Sequence, residues 1–150
     1  MDNYEINAAT LCIIPIDKEK SYVYEYDKKF IVNMPIFKII ERSCLFFGST
    51  YDGRRQSSCF ILNTMHKVPI IIEETRELVF FPTNSPGNKK CMWISYNNLE
   101  CVDKINSDYS MLSFKNDNKI KVAVSYFILT NQLIRCKKLK VELKNRKKAV

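Results

Sequence analysis

The sequence predicts an α+β fold, in which a β-rich body of short, mainly antiparallel strands is followed by a C-terminal amphipathic basic helix. The chain has 150 residues, of which 46% are hydrophobic, which is enough for one sizeable core but not for two ordinary domains. Most apolar segments are short and rich in β-branched and aromatic residues, but the spacing becomes helical after residue 124. We therefore predict a single domain over residues 1–150, with the body at 1–124 and the helix plus a basic tail at 125–150.

Ten segments of the body are predicted to be strands, because each is rich in Ile, Val, Phe or Tyr and is bounded by turn-forming residues. In chain order they are Leu11–Ile16, Ser21–Tyr26, Phe30–Met34, Phe60–Thr64, Val68–Ile72, Leu78–Phe81, Met92–Ser95, Leu99–Val102, Tyr109–Phe114 and Ile120–Val124. The segment from Pro35 to Glu41 could open a short helix, since proline is favoured in a first turn. The sequence alone shows no internal repeat.

The last segment has the spacing of an amphipathic helix. Its apolar residues recur at steps of three, four and seven, at Tyr126, Leu129, Leu133, Cys136 and Leu143. Ser125 is suited to the N-cap, and the helix should end near Lys144. We expect this helix to dock by its first half and to project a basic end.

Positive charge is concentrated in this segment. The chain carries a net charge of +8, and residues 135–148 hold eight basic side chains and one acid, a net +7 that leaves +1 for the rest. Such a local field attracts polyanions, either nucleic acid or an anionic membrane surface. We expect the tail to be a general phosphate contact; the alternative is a solvated helix end that keeps the protein soluble.

The cysteine pattern is typical of a protein in a reducing compartment. No two of the six cysteines have the C-x-x-C spacing of zinc or redox sites, and most have apolar neighbours, so we expect reduced, buried thiols. The chain also begins without a secretory leader pattern, and no window approaches about 18 consecutive apolar residues. We therefore expect a cytoplasmic protein without a membrane segment.

No catalytic motif stands out. His66 is the one histidine, and the sequence has no Gly-rich phosphate loop, nucleophile elbow or zinc-binding helix motif. An enzyme would need His66 within hydrogen-bond reach of a cysteine. The sequence therefore predicts a protein that is not an enzyme and has no cofactor or metal.

The most distinctive stretch is residues 41–56. Gly48 and Gly53 bracket what we interpret as a polar loop, in which Ser49 and Thr50 offer hydroxyl groups for phosphate. Arg54 and Arg55 follow, and arginine readily forks onto phosphate or enters a narrow minor groove. The alternative interpretation is a polar hairpin loop with an ordinary basic flank.

Several blocks of sequence carry a family resemblance. They are Tyr4–Thr10, Glu41–Arg54, His66–Ile70, Phe81–Thr83, Cys91–Ser95, Ser125–Tyr126 and Asn131–Gln132. In this order and spacing, over residues 4–135, they resemble the ComK family of competence transcription factors, with this chain as a short-tailed member. The block from Arg42 to Arg54 is specific, because no common fold motif produces it.

The resemblance implies a regulator that switches on DNA-uptake genes in low-GC Gram-positive bacteria. It implies a homodimer, or paired dimers, on AT-rich boxes of double-stranded DNA that are read through the minor groove. It also implies contacts with RNA polymerase and with an adaptor of a cytoplasmic protease. Physical reasoning favours the same readout, because runs of A·T pairs narrow the minor groove and deepen the negative potential that draws arginine.

The predicted DNA-binding residues follow from this interpretation. Arg54 is the first candidate for insertion, with Arg55 or Arg42 beside it, and Ser49 and Thr50 would hold phosphate. Further backbone charge is expected from basic side chains later in the chain, namely Lys67, Lys89, Lys90, Arg135, Lys137 and Lys138.

Two alternatives stay open. An RNA or single-strand binder would need exposed aromatic side chains on a sheet face, whereas we expect Trp93 and the pair Phe46 and Phe47 to lie in the core. A protein-interaction module would use the basic helix to dock an acidic partner, and it would show no affinity for duplex DNA at moderate salt.

Overall fold

Residues 1–148 form two antiparallel sheets and three helices in the computed structural model, and they are the part of the chain that the structure describes. Ala149 and Val150, the end of the predicted tail, lie outside the described residues. The elements in chain order are β1 (Thr10–Pro15), β2 (Ser21–Glu25), β3 (Lys29–Val32), α1 (Ile36–Phe46), α2 (Tyr51–Leu62), β4 (Ile70–Glu73), β5 (Leu78–Pro82), β6 (Trp93–Ser95), β7 (Leu99–Lys104), β8 (Ser110–Phe114), β9 (Lys119–Val122) and α3 (Tyr126–Lys148). The predicted α+β class is confirmed.

The larger sheet has six strands in the order β3-β2-β1-β6-β5-β4, and the smaller sheet has three in the order β7-β8-β9. Every pairing is antiparallel. Nine of the ten predicted strands correspond to these strands, with ends shifted by one or two residues. Strands β4, β5 and β6 are almost entirely buried, because other elements cover both faces of the larger sheet.

Each face of the larger sheet has its own core. On one face, Ile39 of α1 packs in a cluster with Val23 and Trp93, and all three are fully buried. On the other face, the cluster joins the larger sheet to the end of α2, to α3 and to the smaller sheet, with Leu112 and Leu129 fully buried. The prediction that Trp93 belongs to the core is confirmed.

Two parts of the chain have the same structure. The first unit, residues 10–46, is a three-stranded meander followed by α1, and the second unit, residues 99–136, is a three-stranded meander followed by the start of α3. Equivalent residues are 89 apart up to the last hairpin turn, as in Ser21 and Ser110, and 90 apart after it, as in Val32 and Val122. The second unit has one extra residue in that turn. The expectation of no internal repeat is therefore wrong.

Equivalent polar contacts show how closely the two units correspond. Each has a buried serine, Ser21 or Ser110, whose Oγ donates to the carbonyl two residues before the helix, at 2.8 Å and 2.7 Å. In each first turn an acceptor side chain, Asp17 Oδ1 or Asn106 Oδ1, accepts from two backbone N–H groups. The units share mainly an alternation of buried and exposed positions, which many strand pairs have, so the sequence alone does not reveal the repeat.

The stretch predicted as a polar loop is a pair of helices. Segment Phe60–Thr64, predicted as a strand, is the end of α2 and the turn after it. Its buried residues Ile61 and Leu62 follow the buried Ser58 at steps of three and four, which is helical spacing, while Phe60 is 77% exposed. Helix α1 also continues five residues past Glu41, to Phe46. The predicted β-rich body thus contains two helices.

Helix α3 docks along more of its length than expected. The N-cap prediction is confirmed, since Ser125 Oγ accepts from the backbone N of Ile128 at 3.2 Å. The helix continues to Lys148, with Leu139 fully buried in its second half. Two of its lysines pair with acids of the β4–β5 turn, Lys140 with Glu77 and Lys147 with Glu74. The prediction of a projecting basic end is therefore wrong for these two lysines.

Exposure differs from the prediction at three further positions, namely Phe46, Cys59 and Cys101. Phe46 is 64% exposed because α1 ends there, and its ring meets the edge of Phe47 at 5.1 Å. All six cysteines are free thiols and four are buried, but Cys59 is half-buried and Cys101 is exposed on β7. Within residues 1–148, no helix is long and apolar enough to cross a bilayer.

Candidate nucleic-acid interface

The turn between α1 and α2 uses the two hydroxyl residues that were predicted to hold phosphate. Gly48, at φ 92°, ends α1 by donating its N–H to Leu45 O at 3.0 Å, and the Ser49 N–H reaches Cys44 O at 2.9 Å. Thr50 is the N-cap of α2, and its Oγ1 accepts from the Gly53 N–H at 2.9 Å. A Cβ at position 53 would lie 3.0 Å from that oxygen, so glycine leaves room for the cap.

The arginines beside this turn are paired with carboxylates. Arg42 Nη2 lies 3.6 Å from Glu5 Oε1, and Arg54 Nη1 lies 3.8 Å from Glu74 Oε2. The Arg54 side chain is only 18% exposed, and its buried Nε has no hydrogen-bond partner among the described residues. A hydrogen bond from Lys147, and the charges of Lys147 and Arg54, lower the pKa of Glu74. Insertion of Arg54 into a groove would therefore require it to leave Glu74.

Arg55 and Arg135 both hold the loop Asn63–Lys67. Arg55 Nη2 donates to Met65 O at 3.0 Å. Arg135 Nη1 donates to the carbonyls of His66 and Lys67 at 2.8 Å and 3.2 Å, and its Nη2 lies 3.5 Å from a threonine hydroxyl of the same loop. Two arginines predicted to contact DNA thus lie behind one exposed loop and anchor its backbone.

Gln132 joins this loop to the core. Its Nε2 donates to Lys67 O at 2.8 Å and to Pro82 O at 2.7 Å, and the residue is 2% exposed. Without Gln132 these carbonyls would lose a donor at a site where water has little access. Sequence reasoning did not assign Gln132 a role, although it was one of the residues that carried the family resemblance.

A third segment, Thr83–Cys91, reaches the same end of the molecule. Burial raises the pKa of the Cys91 thiol, and the nearby charge of Lys67 partly opposes this shift. Asn84 lines a cleft of about 430 Å³ with Asp108 of the β7–β8 turn and with Ser125 and Ile128 at the start of α3. Gln132 of α3 also bonds the carbonyl of Pro82, directly before this segment, and that of Lys67 in the loop. The exposed Lys89 and Lys90 are therefore on a segment that is tied to the loop and to α3 through Gln132.

We call the region formed by residues 63–67, 83–91 and 125–138 the basic end. These three segments contain no Asp or Glu. They contain six lysines and arginines, all from the predicted site, namely Lys67, Lys89, Lys90, Arg135, Lys137 and Lys138. The remaining predicted residues, Arg42, Ser49, Thr50 and Arg54, lie at the α1–α2 turn beside carboxylates, and Arg55 links that area to the anchored loop.

Exposed apolar side chains accompany this charge. Phe127 and Ile134 of α3 are 72% and 66% exposed, and they line a cleft of about 330 Å³ with Lys67 and Arg135. Met65, at the anchored loop, is also 66% exposed. Sequence reasoning missed all three; Phe127 and Ile134 are seven residues apart, which is the one signal that would have placed them together on the outer face of α3.

Other residues that carried the resemblance are buried hydrogen-bond partners. Ser43 Oγ accepts from Ile6 N at 2.9 Å and donates to Ile39 O at 2.6 Å, which fixes the N-terminal segment on α1. Tyr4 OH donates to Glu25 Oε2 at 2.6 Å. These residues have a structural role here. His66, in contrast, is exposed, and no group of three or more potential metal ligands occurs in residues 1–148.

Comparison with known proteins agrees with the resemblance. The sequence model of the family described as ComK protein matches residues 1–148. A protein named competence transcription factor, from Bacillus subtilis (strain 168), is 33% identical over 149 residues, which cover 97% of this chain and 78% of that protein. No solved structure matches the chain.

Proposed function

This chain belongs to the ComK family, and we propose that it is a transcriptional regulator of competence that binds duplex DNA through its basic end. The relative is named a transcription factor, which supports a regulator and not an enzyme. The single observation that carries the DNA interface is the convergence of three acid-free segments with six basic side chains. Such a surface attracts phosphate. The acids that line its clefts belong to the smaller sheet, with Asp108 beside Asn84 and Glu100 beside Lys137.

We propose that the target is AT-rich and is read through the minor groove. Runs of A·T pairs narrow this groove and make its potential more negative, which favours a cationic protein surface. Arg55 and Arg135 place two permanent charges behind the anchored loop, and Lys67 adds a third. Arg54 remains a candidate for insertion, but it would first have to separate from Glu74.

The further partners follow from the family and are proposals of the same kind. They are a second copy of the chain, so that two DNA boxes are read by one assembly, together with RNA polymerase and a protease adaptor. A dimer would sharpen a degenerate minor-groove readout, because only boxes at the right spacing engage both copies. The location that fits this activity is the nucleoid of the cytoplasm.

The test is duplex binding by fluorescence anisotropy with two probes of equal length, one with two A/T runs about one helical turn apart and one G·C-rich. The variant is the double substitution Lys89→Gln/Lys90→Gln, and the matched control is Lys18→Gln/Lys20→Gln, in the exposed β1–β2 turn. We expect the first pair to weaken binding and to reduce the slope of log K against log salt by roughly 0.9 for each phosphate that is no longer neutralised. The control should change neither.

Preference for the A/T probe that survives physiological salt would support the proposal. Loss of that preference in Arg54→Ala would support insertion of Arg54. Equal, salt-labile binding to both probes would contradict sequence-preferring regulation and favour a protein-interaction module. Charge substitution is a cleaner test of the tail than deletion of residues 137–150, since deletion also removes the buried Leu139.

A further inference from the structure

We propose that the Asn63–Lys67 loop is the part of the basic end that enters the DNA groove, and that Met65 is the side chain it inserts between base pairs. This inference rests on the proposed function, because it assumes that the basic end meets duplex DNA. It adds a binding residue that is neither charged nor among those predicted from the sequence.

The backbone of the loop is held in a conformation that leaves Met65 and His66 exposed. Both ends have left-handed backbone, with Asn63 at φ 53° and Lys67 at φ 52°. Between them, the carbonyls of Met65 and His66 accept hydrogen bonds from arginines on α2 and α3. With its carbonyl tied to the protein, Met65 keeps a side chain that is 66% exposed.

The surroundings of the loop are positive although its tip is not. Two guanidinium groups, from Arg55 and Arg135, lie within hydrogen-bond distance of the loop carbonyls. Residues 60–72 contain no acid, and the nearest acids along the chain are Asp52 and Glu73. An uncharged tip backed by fixed positive charge fits the floor of an A·T minor groove, where the potential is most negative and the phosphates lie to either side.

The shape of the loop distinguishes Met65 from the other exposed apolar residues. Phe127 and Ile134 lie on the face of α3, and a helix with its side chains is about 10–12 Å wide, whereas the minor groove is about 6 Å wide. The ring of Phe60 already contacts Arg146, whose guanidinium carbon lies 5.5 Å from the ring centre. A short loop with one protruding apolar side chain is narrow enough to enter.

The chemistry of methionine suits insertion. Apolar wedges that include methionine unstack a base step in minor-groove complexes and kink the duplex towards the major groove. Steps such as TA unstack most easily, so a wedge adds a preference for A/T sequences that needs no hydrogen bond to a base. Met65 would thus provide sequence preference, while the lysines of the basic end provide affinity.

The experiment measures DNA bending and affinity together, using an A/T duplex with a central TA step and a fluorophore pair on its ends. Met65→Ala removes the wedge, Met65→Leu keeps an apolar side chain of similar size, and Ile16→Ala is the control at another exposed apolar residue. We expect Met65→Ala to lose the bend and about tenfold in affinity, equal to 1.4 kcal/mol, without a change in salt slope. Met65→Leu and Ile16→Ala should stay close to wild type.

The outcomes separate this inference from the proposed function. A wild-type protein that binds no duplex would overturn both. Wild-type binding to the A/T duplex with an unchanged bend in Met65→Ala would overturn insertion alone, as would a loss of affinity with the bend retained. Because Met65 is exposed, unfolding temperatures of the variants should match wild type, and this measurement confirms that a loss of bending is local.

Discussion

The first and second units use the same meander but surround its helix differently. In the first unit, α1 is followed by α2, and Tyr51 of α2 meets the ring of Phe37 edge-on at 4.8 Å. In the second unit, no helix follows α3 among the described residues, and Phe127, equivalent to Phe37, is 72% exposed. The same residue type at the same place in the same motif thus has two roles, which are set by what packs on it.

The outer faces of the two meanders differ in the same way. Cys12 of β1 is fully buried, because the second core cluster covers that face of the larger sheet. Its equivalent, Cys101 of β7, lies on the uncovered face of the smaller sheet and is exposed. Local pattern therefore predicts the strand, whereas exposure depends on the layer that the rest of the chain adds.

The largest expected effect is one that the two units share. Ile39 of α1 and Leu129 of α3 are equivalent residues, 90 apart, and both side chains are fully buried. We expect Ile39→Ala and Leu129→Ala each to lower the free energy of unfolding by about 2–5 kcal/mol, from lost burial plus a cavity. Urea unfolding followed by circular dichroism measures this loss. A loss under about 1 kcal/mol at one site would show that the two units do not anchor their helices alike.

A smaller effect on stability should distinguish the two units. Phe37→Ala removes a half-buried ring and its edge contact with Tyr51, so we expect a loss of about 1–2 kcal/mol in the free energy of unfolding. Phe127→Ala removes a mostly exposed ring and should stay within about 0.5 kcal/mol of wild type. The same urea titrations test both variants. Equal losses would mean that α2 does not protect the first unit.

The smallest effect concerns reactivity and not stability. Burial raises the pKa of the Cys12 thiol well above its usual range. Near neutral pH this thiol therefore forms little of the reactive thiolate, and its burial also keeps reagents away. Cys101 is exposed, and we expect it to react first with a maleimide in the folded protein. Mass spectrometry of partially labelled protein, with Cys101→Ser as control, measures the order. Labelling of Cys12 before Cys101 would contradict the difference in burial.

Most strands were predictable because alternation survives in a single sequence. Strand β9 shows this, since Ile120 and Val122 face the core between the exposed residues Lys119, Lys121 and Ala123. The error at Phe60–Thr64 arose because a short apolar run suits a strand and a helix equally well. In the structure the turn around Gly48 ends α1 and the Thr50 cap begins α2, so this run is part of a helix.

The site was predictable in composition but not in arrangement. Lysine and arginine counts pointed to the basic end, because net charge can be read from sequence. The positions of Arg55 and Arg135 could not be predicted, since both arginines bind the backbone of a loop that was itself predicted as part of a strand. Asn63 suits the left-handed end of a helix, but the left-handed Lys67 has no sequence signal. Whether the predicted residues contact DNA stays a prediction.

The anchoring of the Asn63–Lys67 loop decides when its conformational entropy is lost. Fixing the backbone of one residue costs roughly 1–2 kcal/mol of entropy, so ordering five residues on binding would consume much of the affinity of a small interface. Here Arg55, Gln132 and Arg135 hold the loop before any ligand arrives. That cost falls on folding, and association with a ligand starts from a loop that is already preorganised.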